Sequence, residues 1–302
     1  MTIIVPFFIT TWAVANGFKV LSVSELIKSD EHSFVSSDLK LDNIRRIVIS
    51  PGDKICLIDQ DCLLGSLDSE FNLELEIGAG AHCIMLSAYV VSGQRSERYI
   101  LNTGSVLELV FITKVSSSSK LNQNKLDQKF DLMGTGARVI SSGTVLIDLI
   151  DQKADASLAI TSSQKHVGAQ TESVYKVRAL LGEKARMDHV GLIRIEDTAG
   201  GSNALFESKQ LLLSQTASSQ TRPSLEVLTD EVRCSHGTAS GPIDEQQLLY
   251  AQSRGMSREN AQRLLREAFV FEIYSEHTLI SQEWVQEQFR INAISETYGY
   301  KI

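Results

Sequence analysis

The chain has 302 residues, of which 43% are hydrophobic and 22% are charged, and this composition is typical of a globular protein with one large core or two smaller ones. Its formal net charge of -8 provides no basic surface for binding a phosphate backbone, which excludes nucleic acid as a partner. Four cysteines (Cys56, Cys62, Cys83 and Cys234) fit neither a paired CxxC metal site nor a dense disulfide framework. Free thiols in a reducing cytoplasm are therefore expected.

The N-terminal residues 3–15 are largely apolar, and Ala13-Val14-Ala15 resembles the cleavage site of a signal peptide. No Lys or Arg precedes this apolar run, and the pattern continues through Phe18, Val20 and Leu21. This continuation favours a strand or a buried segment over a signal peptide. Nothing later approaches the roughly 18 consecutive apolar residues of a membrane span. We expect a cytoplasmic chain without a membrane partner, with secretion as the alternative.

A weak repeat of about 16 residues runs through the middle of the chain. In each copy, a short apolar run leads into a polar or glycine turn that ends in a small residue. The small residues are Ala137, Ala154, Ala169, Ala185, Ala199, Ala217 and Val232. Such a step has no room for a crossover helix, so stacked coils of a β-solenoid are favoured. A β-sandwich, whose strands return after about 8–12 residues, is the alternative.

In the solenoid interpretation, apolar residues of successive coils stack into a continuous core. The residues expected there are Leu180, Leu192, Ile193, Ile195, Leu211 and Leu213. Earlier turns at 51–53, 78–80 and 103–105 suggest that the coils begin near residue 45. The polar stretch 116–128 is expected to be a protruding loop or a linker. We thus divide the chain into an N-terminal segment (1–44), a β-helix core (45–241) and a C-terminal helical domain (242–302).

The C-terminal sixty residues change to the 3.6-residue period of helices. Asp244 with Gln247 resembles a capping box, Ser257 is placed to cap a second helix, and Ser281 is placed to cap a third helix before Trp284. A small helical domain is expected.

Enzyme signatures are absent from the sequence. It contains no GxxxxGK[ST] loop for nucleotide phosphates, no GxSxG elbow and no HExxH motif. We therefore expect no enzyme activity, and any use of ATP must come from a partner.

The segment Glu231–Gly237 is the exception that could carry chemistry. Residues two apart on a strand share a face, so Cys234 and His236 would project a thiol and an imidazole together. Both groups are ligands for iron and zinc, but two ligands do not complete a coordination shell, which implies a site shared with another chain. On the residues alone, a buried thiol and a hydrogen-bonded strand-end histidine are the simpler interpretation. His82, His166 and His189 are expected to be surface or coil-edge residues.

The sequence from Arg222 to Phe269 resembles the SufB/SufD family of the SUF iron–sulfur cluster assembly system. The resemblance lies in residues 222–227, 230–237 and 243–245, and it continues to Phe269. Within it, Cys234-Ser235-His236-Gly237 is similar to the SufD version of the turn, whereas the SufB version carries Glu-His-Glu. The resemblance therefore indicates a SufD-type chain.

This resemblance implies a mainly β protein, a right-handed parallel β-helix with flanking helices, that acts as a non-ATPase scaffold. It implies pairing with a SufB-like subunit through the core, and a homodimer when the chain is isolated. His236 would face a cysteine of the partner where the nascent cluster forms, with Cys234 beside it, so that a transient iron–sulfur cluster or iron is shared. A reduced flavin is a further cofactor by family analogy only.

The resemblance also implies that a SufC-like ATPase docks on the C-terminal helices. The candidate docking residues are Leu248, Tyr250, Arg254, Leu264, Leu265 and Phe269.

Two other functions remain open at this point. One is a secreted β-helix polysaccharide lyase or hydrolase, which would need a cluster of carboxylates such as Asp148, Asp151 and Asp155. The other is a structural solenoid without any role in metal binding.

Overall fold

The chain forms two parallel β-sheets that face each other and are covered on one side by helices. The computed structural model describes residues 12–23, 35–36, 44–59, 70–91, 93–115, 124–147 and 156–291. Sheet A contains, in spatial order, β1 (Lys19–Ser22), β4 (Lys54–Asp59), β6 (His82–Val91), β8 (Val106–Val115), β10 (Arg138–Ile147), β12 (Glu172–Leu181), β14 (Asn203–Leu212) and β16 (Arg233–Gly241). Sheet B contains β15 (Ser218–Val227), β13 (Arg186–Ile195), β11 (Ser157–His166), β9 (Lys125–Leu132), β7 (Gln94–Leu101), β5 (Glu70–Ile77), β3 (Ile44–Ile49) and β2 (Val35–Ser36).

From β3 onward, consecutive strands alternate between the sheets, so that one coil contributes a strand to each. Arg138 of β10 lies opposite Glu172 of β12, which lies opposite Asn203 of β14, and these pairs are parallel. One coil thus takes up two of the short sequence repeats, because each repeat is one strand with its turn. The β-solenoid prediction is confirmed, and the sandwich alternative is wrong.

The turns between sheets form a hydrogen-bonded ladder along one corner of the solenoid. The N–H of Gly104 donates to the carbonyl of Thr135 at 2.9 Å, and the N–H of Gly136 donates to that of Ala169 at 2.9 Å. Gly104 and Gly136 have φ values of 62° and 69°, which disfavour any residue with a Cβ atom. The turns predicted near Gly104 and Gly136 are thus present. The predicted turn at residues 150–154 lies outside the described residues.

The loop predicted at residues 116–128 extends too far, because its last residues belong to a strand. Residues 116–123 lie outside the described residues, but Lys125 already begins strand β9, in which every second residue from Leu126 to Leu132 is buried. The polar Gln128 at one of these inward positions weakens the alternation in the sequence.

A single apolar core lies between the two sheets. Representative members from both sheets are Ile47, Leu75, Met85, Leu109, Phe130, Val145, Ile193, Ile195 and Phe206. The prediction that Ile193 and Ile195 lie in the core is confirmed, whereas it is wrong for Leu192, which is partly buried on the outer face of sheet B. Leu180, Leu211 and Leu213 face the opposite side of sheet A, where they join a second apolar cluster.

This second cluster forms because helices cover the outer face of sheet A. The chain after β16 forms α1 (Glu245–Ser253), α2 (Arg258–Phe271), a 3-10 turn (Glu272–Tyr274) and α3 (Leu279–Ile291). Val270, Ile273, Tyr274, Trp284 and Val285 pack against outward-facing residues of sheet A. Since sheet A is covered on both faces, its strands are nearly continuous apolar runs, as in β6 and β8.

The helical segment is therefore joined to the solenoid by a shared core. Only α1 and the beginning of α2 have a small core of their own, formed by Leu248, Ala251 and Ala261. The predicted caps Asp244 and Ser257 are present and accept hydrogen bonds from the backbone of the first turns.

The predicted cap of the third helix is wrong, because Ser281 lies inside α3 and a residue of the sheet caps it. Glu108 of β8 accepts hydrogen bonds from the N–H of Thr278 at 3.1 Å, from the Thr278 hydroxyl at 2.9 Å and from the Ser281 hydroxyl. His277 Nδ1 lies 3.3 Å from the same carboxylate. Burial opposes ionisation of Glu108, but His277 and the two hydroxyls outweigh it, so that its pKa lies below its ordinary value. Glu108 thus ties the last helix to the sheet.

The outer face of sheet B is polar and carries ion pairs between neighbouring coils. Arg98 binds Asp131 at 2.8 Å, and Arg222 binds Asp188 at 2.8 Å. Pairs of this exposure contribute little to stability, at most about 1 kcal/mol each, so this face is a solvated surface.

The two ends of the solenoid differ. At the N-terminal end, β1 pairs with β4, and β2 pairs antiparallel with β3, so both sheets are extended there. The predicted strand near Phe18 to Leu21 is thus present, whereas residues 1–11 lie outside the described residues. At the C-terminal end, β15 and β16 are the last strands of their sheets. In the described part of the chain, no helix is long and apolar enough to cross a bilayer.

We expect Glu108→Ala to lower the free energy of unfolding by about 2–4 kcal/mol, because the N–H of Thr278 and the hydroxyl of Ser281 lose a buried acceptor. Urea unfolding measures this loss, and amide hydrogen exchange should show faster exchange in α3. The control is Glu172→Ala, since Glu172 forms an exposed ion pair with Arg138 and should change stability by less than about 1 kcal/mol. Equal losses in the two variants would contradict the capping role.

Candidate functional site

Cys234 and His236 lie on β16, the edge strand of sheet A at the C-terminal end of the solenoid. Cys234 is opposite Ala204 and His236 is opposite Phe206 in the register with β14. Ala204 and Phe206 belong to the core between the sheets, and Cys234 packs against the same core. Because alternate residues of a strand share a face, the thiol and the imidazole are on the inner side of sheet A.

The end of the solenoid leaves these two side chains accessible. Cys234 is half-buried and His236 is exposed, whereas their strand neighbours in the preceding coil are buried. A half-open groove of about 540 Å³ adjoins Cys234. It is lined by Glu172, Ser173, Val174, Asn203, Ala204, Leu205, Val232, Arg233, Cys234 and Ser235.

An aromatic cluster forms the floor beneath His236. Phe206 stacks on Tyr175, with ring centroids 5.8 Å apart and an interplanar angle of 4°. His189 meets Phe206 edge to face, with centroids 5.0 Å apart. Phe206 also lies over Gly191, where an added Cβ atom would come within 2.4 Å of the ring. The floor is therefore packed without spare space.

The described cysteines differ in accessibility. Burial raises the pKa of Cys56 to about 12 and raises that of Cys83 well above its ordinary value. Cys234 is half-buried, and burial raises its pKa to a smaller degree. Cys56, Cys83 and Cys234 are free thiols, while Cys62 lies outside the described residues.

The donor set of Cys234 and His236 is a partial one. Among the residues that the structure describes, no three His, Cys, Asp or Glu side chains are placed to hold a metal ion together. A thiolate and an imidazole suit iron or a cluster. This arrangement is compatible with a site that a second chain completes.

Four of the six predicted docking residues fall into two groups. Tyr250 is 63% exposed and Leu264 is 45% exposed. Leu248 is 1% exposed and Leu265 packs against it, so these two residues hold α1 and α2 together.

The other two predicted docking residues have partners within the chain. Phe269 packs against sheet A, where the guanidinium of Arg178 lies 5.5 Å from its ring. Arg254 ends α1 and donates to the Tyr250 hydroxyl at 3.2 Å. The exposed apolar patch, which we define as Leu249, Tyr250, Met256 and Leu264, thus differs from the predicted set.

The prediction for two histidines is wrong, because His166 and His189 are fully buried inside the solenoid. His166 bonds to Thr171 and Ser173, both at 2.8 Å. The alternation of Leu158, Ile160, Ser162, Gln164 and His166 gives the signal that places His166 on the inner face. Sequence reasoning missed it because three of these five inward positions are polar.

Sequence reasoning also missed the polar residues that join the helices to sheet A. Arg178 is 1% exposed and pairs with Glu207 at 2.6 Å and with Glu272 at 2.9 Å. Thr144 and Tyr274 share a hydrogen bond of 2.6 Å between their hydroxyls. No sequence motif marks the contacts between the sheet and the helices, since Arg178 and Glu272 are 94 positions apart and Thr144 and Tyr274 are 130 positions apart. The carboxylates proposed for a polysaccharide site, at positions 148, 151 and 155, lie outside the described residues.

Comparison with known proteins points to one family. Residues 72–269 match the family model described as SUF system FeS cluster assembly, SufBD core domain. The iron–sulfur cluster assembly protein SufD of Escherichia coli (strain K12) is 33% identical over 96 residues, which are 32% of this chain and 23% of the relative. SufD of Bacillus subtilis (strain 168) is 32% identical over 111 residues, which are 37% of this chain and 25% of the relative. SufB of the same organism is 25% identical over 150 residues, 49% of this chain and 31% of the relative. The matched regions thus span about a quarter to a third of these relatives.

We expect a maleimide to label Cys234 in the folded chain well before Cys56 and Cys83, because only Cys234 among these three reaches the surface. Peptide mapping by mass spectrometry after short labelling at pH 8 measures the order. Labelling in urea is the control and should make all three react alike. Equal protection of Cys234 in the folded chain would contradict an accessible thiol.

Proposed function

Because the chain belongs to the SufB/SufD family of the SUF iron–sulfur cluster assembly system and is of the SufD type, we propose that it is a non-ATPase scaffold subunit of that system. It pairs with a SufB-like subunit, shares a nascent-cluster site with it and docks a SufC-like ATPase. The observation that carries this proposal is the accessible Cys234–His236 pair on an edge strand. The nascent cluster is the cargo of the site.

Pairing through the end of the solenoid is supported by its two edge strands. An edge strand has unpaired N–H and C=O groups, and it recruits a further strand unless it is covered. The edge strand β15 ends in Leu225 and Val227, which are 40% and 41% exposed, and Leu228 follows with 57% exposed. A second solenoid that met this end would cover these side chains and satisfy the backbone of β16.

The shared site follows from the position of the donors on this edge. A subunit paired with β16 would bring its own side chains next to His236 and Cys234. With one sulfur and one nitrogen ligand from this chain, the other ligands come from the partner or from the cargo. The role of this chain is then to hold a half-site open until the partner is in place.

Docking of the ATPase is supported by the exposed apolar patch on α1 and α2. Leu249 and Tyr250 are each 63% exposed, and they lie on the helices that follow β16 directly. Apolar side chains with this exposure are typical of interaction sites when they form a contiguous patch. The helices that carry the patch follow β16, the strand that carries the half-site, after the short connection from Gly241 to Asp244.

Motion of the ATPase would reach the solenoid through the contacts of the helices with sheet A. Glu108, Arg178 and Thr144 bind the segment from Glu272 to Ser281. A displacement of α2 and α3 therefore acts on strands β8, β10 and β12.

We expect His236→Ala to leave complex formation intact and to abolish cluster assembly, because the imidazole is exposed and contributes a ligand without supporting the core. The measurement is cluster formation by the reconstituted complex, followed by visible absorption and iron content. The matched control is Ser240→Ala on the same strand, which should keep full assembly because Ser240 lies at the opposite end of β16 and does not line the groove beside Cys234. Full cluster formation with the His236→Ala variant would contradict the assignment of His236 to the site.

We expect the pair of substitutions Leu249→Ser and Tyr250→Ser to weaken ATPase binding at least tenfold, because each removes an exposed apolar contact. Truncation after Gly241 is a poor test, since it would also uncover the outer face of sheet A. The binding constant from calorimetry or biolayer interferometry measures the effect. Met133→Ser is the control, because Met133 is 46% exposed on a turn of the solenoid. Unchanged binding by the double variant, with the control also unchanged, would contradict docking at this patch.

A further inference from the structure

A chain of buried polar side chains crosses the interior of the solenoid from β7 to β14. Each of its members is at most 4% exposed. In spatial order, they are Arg95, Glu97, Gln128, Tyr175, Ser162, His189, Ser208 and Gln210. We infer that every hydrogen bond of this chain is donated toward Glu97, so that His189 is held as a neutral imidazole with the proton on Nε2. His189 in turn positions the floor beneath His236.

The direction is set at Glu97. Its carboxylate pairs with Arg95 at 2.6 Å and accepts a hydrogen bond from the Tyr99 hydroxyl at 3.0 Å. A carboxylate paired with a guanidinium only accepts hydrogen bonds. The side chain of Gln128, whose Nε2 lies 2.8 Å from Glu97, must therefore turn its NH2 group to Glu97 and its carbonyl oxygen away.

The hydroxyls of Tyr175 and Ser162 continue the same order of donors and acceptors as far as His189. The Tyr175 hydroxyl donates to Gln128 Oε1 at 2.8 Å, which leaves its oxygen as an acceptor, and a hydrogen bond from Ser162 counters the rise in the pKa of Tyr175 that burial causes. The single hydroxyl proton of Ser162 is then engaged with Tyr175 and cannot be donated to His189. The 3.1 Å contact between Ser162 Oγ and His189 Nε2 must accordingly be donated by the imidazole, which places the proton on Nε2.

The far end of the chain agrees with this assignment. His189 Nδ1 has no proton, so it accepts from the Ser208 hydroxyl at 2.8 Å. The Ser208 oxygen in turn accepts from Gln210 Nε2 at 2.7 Å. Every donor and acceptor along the path is thus matched, whereas a proton on Nδ1 would oppose the Ser208 hydroxyl.

The groups that surround the ring do not favour its charged form. Ser162 from β11, Tyr175 from β12 and Ser208 from β14 contact it or its partners, and Thr221 of β15 is its register neighbour. All four side chains are uncharged, and the charged members of the buried chain, Glu97 and Arg95, are paired with each other. Burial lowers the pKa of His189 to about 3.

His189 is a positioning residue because its ring supports Phe206. The rings meet edge to face with centroids 5.0 Å apart, and Phe206 is the register neighbour of His236. Both ring nitrogens are held by hydroxyls on different strands, so the imidazole cannot turn without breaking a buried hydrogen bond. The positioning role rests on the proposed function of His236, whereas the tautomer does not.

The tautomer is tested by 15N-detected histidine NMR on the isolated full chain from pH 8 to pH 5. We expect one ring nitrogen of His189 to carry a proton, assigned as Nε2, and no titration in this range. An Nδ1 proton, a mixture of tautomers or titration near pH 6.5 would overturn the inference. This measurement needs no partner, no cluster and no variant.

The origin of the direction is tested by Glu97→Gln, since an amide at this position can either donate or accept. We expect the Nδ1–H tautomer of His189 to become populated, while the signals of His166, which bonds to Thr171 and Ser173 instead, remain unchanged. Glu74→Gln, in an ion pair on the outer face of sheet B, is the control and should leave His189 unchanged. A folded Glu97→Gln variant in which His189 keeps the tautomer of the parent chain would overturn the coupling between Glu97 and His189. If the variant does not fold, the inference is decided by the tautomer measured in the parent chain.

The positioning role is tested by the ring signals of His236 in His189→Phe and His189→Gln. We expect His189→Phe to shift them, because the hydroxyls of Ser162 and Ser208 lose their partner, and His189→Gln to restore them, because its Nε2 still donates. Unshifted His236 signals in both folded variants would overturn the positioning role. Full cluster assembly by the His236→Ala variant, with the expected His189 and His236 signals in the parent chain, would instead count against the proposed function alone.

Discussion

The parallel register between successive coils is the constraint on which the rest of this structure depends. Every coil hydrogen-bonds to the next through both sheets, and a slip of one residue would turn the inner face of a strand outward. Close contacts fix the register from inside. An added Cβ atom at Gly143 would fall 1.9 Å from the Phe111 ring, and one at Gly191 would fall 2.4 Å from the Phe206 ring. Coils therefore stack in one way only, and the last coil presents a defined edge.

That edge gives the candidate site its character. A side chain on an inner strand of the stack is enclosed by coils on both sides, as Phe206 is, whereas the equivalent side chain on the last strand has a coil on one side only. Cys234 and His236 occupy such positions, and their exposure follows from the end of the stack. The same geometry leaves the backbone of β16 able to pair, so the chemistry of the site and the recognition of a partner share one strand.

Burial of sheet A on both faces joins the helices to this arrangement. Residues of the inner face belong to the solenoid core, while those of the outer face bind the segment after α2. The contacts of Glu108 with α3 and of Arg178 with Glu272 combine charge with burial, which makes them costly to break. The helices thus form one mechanical unit with the strands that lie beneath them.

The sequence by itself determined the solenoid, the position of most turns, the first two helix caps and the family, because these depend on local spacing and on contiguous motifs. It also placed Cys234 and His236 on one face, which strand alternation requires. Only the tertiary structure decided that His166 and His189 lie inside, that Leu180 and Leu211 face the helices, and that Glu108 caps α3. Leu180, Leu211 and Glu108 lie on strands of sheet A, and a strand buried on both sides carries no alternation that would tell its faces apart. His166 and His189 lie on strands of sheet B, where polar residues at inward positions weaken the alternation.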